Sequence, residues 1–464
     1  MSTHSSHSGL FQKPSRRKFI AGLSATAATI GSLPLSSAEV EGSGKIKVGI
    51  VGTGGRGTGA ILQTLRANPQ AQLVAAGDLF EDNFYGKGPR QSGGLPRIRK
   101  LLEERQMSAQ IDLPKEREFT GFDSYQKVIE CCDLVLLTTT PAFRPLHFEA
   151  AIAAGKHVFM EKPVCIDARG YNRVLRGAEE ADKKGLKVVV GLQRHYSQLY
   201  LQAFDKVHSE GLIGDVIGGQ CYWNGTRPWN VARNPNWSEL EFQTYNWYHF
   251  NYLCGDHICE QHVHNIDVVN WFLSGDGKMG THPVTAQGMG GRTGWESAKK
   301  SSIFDHHFVE FTYESGKMLN SQCRQQPGCE NRVGEEIHGS KGVLIFGENQ
   351  GVIKDYNGKT LWRYRPPRDQ ANNPFQQEHN RLHHAIINNE PLNNAYYGAH
   401  SSFAAVIGRV ATYTGQKISW KEAVESDFSL IPDDLSWESE PPIKPDANGN
   451  YPHPLPGKTP LPWA

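Results

Sequence analysis

The chain has 464 residues, with 49 lysines and arginines against 48 aspartates and glutamates. That balance gives no electrostatic case for nucleic acid or an anionic membrane as partner, and the length suits two domains with separate cores. Eight cysteines occur without any C-x-x-C pair, so zinc and dithiol redox chemistry have no support from spacing. Cys323 and Cys329 can pair after export; the others read as small core residues or free thiols.

The first segment stands apart from the fold. Arg16-Arg17-Lys18-Phe19-Ile20 precedes a mildly apolar stretch, Ala21 to Leu35, and a small-residue exit at Ser36-Ser37-Ala38. This order is that of a twin-arginine export signal over residues 1–38, with a basic tail as the competing reading. The apolar stretch is too short and weakly hydrophobic for a membrane span. Twin-arginine substrates cross the membrane folded, which predicts a periplasmic or other extracytoplasmic protein carrying a tightly held nucleotide.

Ile46 to Val51 has the pattern of a buried strand and runs into Gly52-Thr53-Gly54-Gly55-Arg56-Gly57, a G-x-G-x-x-G turn. The first glycine permits the tight turn, the second lets backbone approach a pyrophosphate, and the third lets the next helix pack closely with its N-terminus toward the phosphates. Ala60 to Leu65 reads as that helix. A second strand, Leu73 to Ala76, ends at Asp78, placed to accept ribose hydroxyls of an adenosine. The competing reading is a glycine-rich loop without ligand.

A polar, glycine-rich insertion, Asn83 to Pro96, is followed by a charged helix, Arg97 to Arg105, and another at Ser124 to Glu130. Leu134 to Leu137 is a fully buried strand that opens into Thr138-Thr139-Thr140-Pro141, at the sheet edge where open parallel sheets bind ligands. After a helix over Leu146 to Ala154, the strand Lys156 to Met160 delivers Glu161-Lys162-Pro163 to the same edge. A helix from about Ala168 to Lys184 and a strand, Lys187 to Val190, complete a doubly wound parallel sheet.

The glycine turn, Asp78, Thr138 to Pro141, the Ala-Gly-Lys-His run at Ala154 to His157, and Glu161-Lys162-Pro163 together resemble the glucose-fructose oxidoreductase, inositol dehydrogenase and rhizopine-catabolism family, Gfo/Idh/MocA. The resemblance extends through Gly191 to Arg194, Glu260 to Asp267 and Gly408 to Gly415. It implies an α/β fold: an N-terminal Rossmann domain over residues 45–191, then an α+β domain with a large open mixed or antiparallel sheet over 192–425. Residues 426–464 read as an extended tail. The resemblance implies NAD as cofactor, with Gly52, Thr53, Gly54, Gly55, Arg56, Gly57, Asp78, Thr139, Pro141, Glu161 and Lys162 around it. It further implies a carbohydrate or polyol substrate and a homo-oligomer formed through the free sheet face.

Lys162 falls on the family's reactive lysine, where an ammonium can stabilise negative charge or relay a proton at a reacting hydroxyl; a surface Lys-Pro turn is the alternative. Glu161 can simply pair with a cation. In Gly255 to Asp267, helical spacing predicts His257, Glu260, His264 and Asp267 on one face. The family places an aspartate four residues before a histidine; here those places hold Glu260 and His264. His264 is then the base for the hydroxyl proton and Glu260 its carboxylate partner, while a buried structural histidine or a divalent metal on His257, Glu260 and His264 stand as alternatives. No metal is expected.

Six of ten tryptophans, Trp223, Trp229, Trp237, Trp247, Trp271 and Trp295, cluster with Tyr245, Tyr248 and Tyr252. Any single ring suits a sugar face or, equally, core packing or a subunit interface, while the group as a whole favours a carbohydrate site. Arg194, His195, His257, Asp267 and Trp247 are the candidate substrate contacts, with Arg194 and His195 equally able to cap the domain junction. Phe308 to Tyr313 and Met318 onward predict a hairpin, Ile337 to Phe346 another, and Glu378 to Asn388 and Ser401 to Tyr413 helices. The expected activity is NAD-dependent oxidation of a secondary hydroxyl on a sugar, polyol or glycoside. A redox-neutral, NAD-dependent glycosidase and a non-catalytic sugar or nucleotide sensor remain as alternatives.

Overall fold

Val48, Ile50 and Val51 are fully buried on both faces of β1 (Lys47–Val51), which therefore takes an inner place in a sheet covered on both sides. The computed structural model describes residues 45–90, 92–276, 279–293, 300–347, 349–366, 373–432 and 434–464. Residues 1–38, where a twin-arginine signal is expected, and Trp295 lie outside them. β1 pairs in parallel with β2 (Gln72–Asp78) on one side and β4 (Leu134–Leu137) on the other. β3 (Glu118–Thr120), β5 (His157–Met160) and β6 (Val188–Val190) complete a parallel sheet in the order β3-β2-β1-β4-β5-β6. Strand order reverses between β1 and β4, so a crevice opens there at the carboxyl ends of the strands. The glycine turn, Thr138 to Pro141 and Glu161 to Pro163 all end at that edge.

The second sheet has nine strands in the order β14-β13-β12-β11-β7-β10-β9-β8-β15. They are β7 (Val216–Gly225), β8 (Thr285–Gly291), β9 (His306–Thr312), β10 (Met318–Gln325), β11 (Arg332–Gly339), β12 (Gly342–Gly347), β13 (Gln350–Asp355), β14 (Thr360–Arg363) and β15 (Ile418–Ser419). All pairings are antiparallel except β7 with β10, so the sheet is mixed. β9 buries alternate residues, His307, Val309 and Phe311, as a strand with one covered face must. The helices Val263–Ser274 and Ala395–Thr414 cover that face.

The helix Pro374–Ile387 departs from the expected domain limits. It returns to the first sheet, packs on the helix Gly55–Ala67 through Leu382, and joins Thr64 Oγ to His379 Nδ1 at 2.6 Å. Asn394 N–H then donates to the Val188 carbonyl at the edge of β6. The irregular tail also packs back: Tyr451 meets Phe250 at 4.8 Å and Trp437 meets Phe80 at 5.0 Å. Cys323 is buried and Cys329 exposed, and both are free thiols, so they form no disulfide. No described helix is long and apolar enough to cross a membrane.

Candidate active site

A cavity of about 440 Å³ lies between the carboxyl edge of the first sheet and the second domain. Its floor is the glycine turn. Gly52 adopts φ +96°, and a Cβ at Gly57 would stand 1.9 Å from the Gly52 carbonyl oxygen, so neither position tolerates a side chain. A Cβ at Gly54 would meet nothing within 4 Å. The middle glycine thus presents bare backbone to open space at the start of the helix Gly55–Ala67, the cradle a pyrophosphate requires. Asp78 lines the same cavity from the end of β2. Its Oδ2 accepts from Thr53 N–H at 2.6 Å and Thr53 Oγ at 2.8 Å, which fixes the turn to the acidic residue. Burial pushes the Asp78 pKa up, against the lowering effect of those hydrogen bonds.

Lys162 enters from the first domain and Glu260 from the second. Lys162 Nζ lies 3.1 Å from Glu260 Oε1 and also donates to the Glu260 backbone carbonyl. Their side chains are about one-tenth exposed. His264 lines the cavity beside them, and burial, then the Lys162 and Arg194 charges, hold its pKa far below the usual histidine range. The imidazole is therefore neutral in the resting site. Glu260 Oε2 and His264 Nδ1 are both buried without a protein partner, as a pair built for a polar ligand would leave them. Trp247 is also in the wall.

Thr139, Pro141, Glu161 and Arg56 all line the cavity, the last two held by each other. Arg56 also reaches Glu378 Oε1 at 3.1 Å and Gln63 Oε1 at 3.0 Å, so its guanidinium is committed to protein acceptors. Arg144 was not foreseen. It is fully buried in the cavity wall, donates to the carbonyls of Thr139 and Pro163, and is pushed down to about 10 by burial.

Four expected substrate contacts stand elsewhere. Arg194 is paired with the buried Glu335, which also holds Asn265 and Tyr200. His195 Nε2 pairs with Asp267 Oδ2 at 2.9 Å and lies between the rings of Trp271 and Tyr397, each 4.2 Å away. Asp267 additionally accepts from Ser401, and His257 Nδ1 faces Asp256 at 2.8 Å. None of these lines the cavity. The expected single helix face does not form, because the helix breaks into His257–Glu260 and Val263–Ser274. Gly255 and Asp256 both have positive φ, and the N–H groups of Gln261 and His262 both turn to the His257 carbonyl. That extra residue per turn rotates His257 and Asp267 away while leaving Glu260 and His264 on the cavity. The metal set His257, Glu260 and His264 is separated by the same break. Among the described residues, the three groups close enough to share a metal are instead Asp256, His257 and His307, with Asp256 facing both histidines, His257 Nδ1 at 2.8 Å and His307 Nε2 at 3.3 Å.

Residues 46–192 match the family described as "Oxidoreductase family, NAD-binding Rossmann fold", GFO_IDH_MocA. Inositol 2-dehydrogenase of Serratia proteamaculans is 26% identical over 235 residues, covering 50% of this chain and 55% of that protein. The chain thus aligns with about half the length of the curated relatives it matches. Aldose-aldose oxidoreductase from Caulobacter crescentus shares the fold with TM-score 0.60 at 16% identity, covering 81% of this chain and all of that one. Scyllo-inositol dehydrogenase from Lactobacillus casei, solved with NAD(H) and scyllo-inositol, superposes with TM-score 0.57 at 19% identity over 81% of this chain and 99% of that one.

Proposed function

We propose, from the match of residues 46–192 to the Gfo/Idh/MocA NAD-binding Rossmann family, that the protein is an NAD-dependent oxidoreductase acting on a secondary hydroxyl of a sugar, polyol or glycoside. The observation that carries this reading is the meeting of Lys162, Glu260 and His264 in the cavity that also holds the open glycine cradle and Asp78. Gly52, Gly54, Gly57 and Asp78 would hold NAD, with Thr139, Pro141 and Lys162 toward its reactive end. NAD, when bound, supplies the hydride acceptor. Lys162, fixed by Glu260, orients the substrate hydroxyl and stabilises negative charge on its oxygen. Neutral His264 takes the hydroxyl proton, and Glu260 supplies negative charge to a site that gains positive charge on the imidazole. Trp247 offers an apolar face to a sugar ring.

The same proposal includes export by the twin-arginine route to the periplasm. It also includes a homo-oligomer through the outer face of the second sheet, where Ile217, Met289 and Met318 are exposed. The test is to denature purified protein, identify any released nucleotide, and measure whether sugars and polyols change its redox state. Released NAD that becomes reduced is the expected result. Protein that carries none, binds none when offered it, and leaves every sugar unchanged would overturn the proposal.

A further inference from the structure

The glycine-rich insertion after β2 folds over the phosphate cradle. Gly94 N–H donates to the Thr53 carbonyl at 2.8 Å, Gly93 packs so closely on Thr53 and Gly54 that a Cβ would lie 2.4 Å from their backbone, and a Cβ on Gly55 would lie 3.2 Å from the Ser92 carbonyl oxygen. The segment leading into the insertion, and Arg90 within it, reach the second domain. Tyr245 donates to Asp82 at 2.6 Å while stacked between Phe80 at 3.9 Å and Trp237 at 4.2 Å. Arg90 rests its guanidinium 3.5 Å over the Trp229 ring.

Four guanidinium or ammonium groups line the cavity, and three are committed. Arg56 is paired with two glutamates, Lys162 with Glu260, and Arg144 with two carbonyls. Arg90 makes no ion pair or hydrogen bond among the described residues; its guanidinium lies over Trp229, and it lines the same cavity as Gly54. A planar cation lining the same cavity as bare glycine backbone suits a phosphate in shape and charge. A dinucleotide pyrophosphate would otherwise find only helix-terminal N–H groups, since Arg56 is already neutralised.

We propose that Arg90 binds the pyrophosphate of the dinucleotide and, through Trp229, makes the insertion a clasp that joins phosphate recognition to the second domain. The inference rests on the NAD reading above. It is tested by calorimetric titration of nucleotide-free, full-length protein with NAD, ADP-ribose and adenosine. Arg90→Gln should weaken NAD and ADP-ribose by about tenfold to a hundredfold, the scale of a charge-assisted pair, and leave adenosine, which has no phosphate, unchanged. Arg90→Lys should fall between, and Trp229→Leu should weaken the same two ligands to a smaller degree. Unchanged NAD affinity in Arg90→Gln would overturn the assignment, including the case where only the KM for an acidic sugar rises. Equal weakening of adenosine would also overturn it, because the loss would then lie in the shape of the loop. Wild-type protein that binds neither NAD nor ADP-ribose would instead sink the NAD reading itself.

Discussion

Lys162 and Glu260 meet at 3.1 Å across the junction of the two domains, although ninety-eight residues separate them in the chain. Each would be a poorly compensated charge in a mostly buried place without the other. Glu260→Gln keeps a hydrogen-bond acceptor but removes the charge, so it should lower the turnover rate about tenfold or more while changing KM for NAD little. Glu260→Asp, shorter by one methylene, should recover part of the rate. Steady-state kinetics with both variants check this, and a wild-type rate in Glu260→Gln would reject the positioning role.

Two glycine substitutions should fail in different ways. A side chain at Gly57 collides with the Gly52 carbonyl, so Gly57→Ala should lower the melting temperature of the nucleotide-free protein. A side chain at Gly54 enters open space, so Gly54→Val should melt normally and yet bind no NAD. Thermal melts with and without NAD separate the two. Unimpaired binding by Gly54→Val would place the pyrophosphate elsewhere.

The first sheet was legible because the buried residues of β1 run into a glycine turn and β4 is an unbroken apolar run that opens into the Thr138 to Pro141 turn, and that signal is local. The cluster near His264 was only half legible. Periodicity sees four polar residues at helical spacing, but it cannot see that Asp256 adopts φ +72° or that an extra residue enters the turn at Gln261 and His262. Pairings such as Arg194 with Glu335, 141 residues apart, arise from the register of β11 beside β7, which no motif encodes. Arg90 lay in a stretch that composition marks only as a loop, and its meaning comes from Trp229 across the cleft.

Stability should fall with acid. Burial pushes His147 down to about 3, with Arg144 adding to the effect, and it pushes His383 down to about 4, helped by His157. In the unfolded chain both take protons near pH 6.5, so between there and about 4 the unfolded state binds more protons than the folded one. Stability is then full above pH 6.5 and declines as pH drops toward 4, by up to about 1.4 kcal/mol per pH unit for each such histidine. Urea midpoints at pH 7.5, 6.0 and 5.0 test this, and a midpoint flat across that range would contradict it.

Asp78 should make the protein prefer NAD, because its carboxylate, held in place by Thr53, would repel a 2′-phosphate. Titration of nucleotide-free protein with NAD and NADP should favour NAD, and Asp78→Ala should narrow the gap. Equal or tighter NADP binding by the wild type would refute the role. Export is checked separately: changing Arg16 and Arg17 together to lysine should retain the protein in the cytoplasm, and undiminished export would remove the twin-arginine assignment.

The chemistry itself is separable from binding. Lys162→Ala and His264→Ala remove the two groups proposed to act on the hydroxyl, so each should slow reduction of bound NAD about a hundredfold or more, while NAD affinity stays close to wild type. Because burial and the nearby charges keep His264 unprotonated, the acid limb of the wild-type rate should lie well below pH 6.5. Single-turnover absorbance of NADH with an oxidisable sugar measures both. Near-normal rates in the two alanine variants would move the weight to a sensing role. Consumption of a glycoside without accumulating NADH, lost when bound NAD is stripped and restored when it is returned, would select the redox-neutral glycosidase, in which the same lysine and histidine serve a transient oxidation.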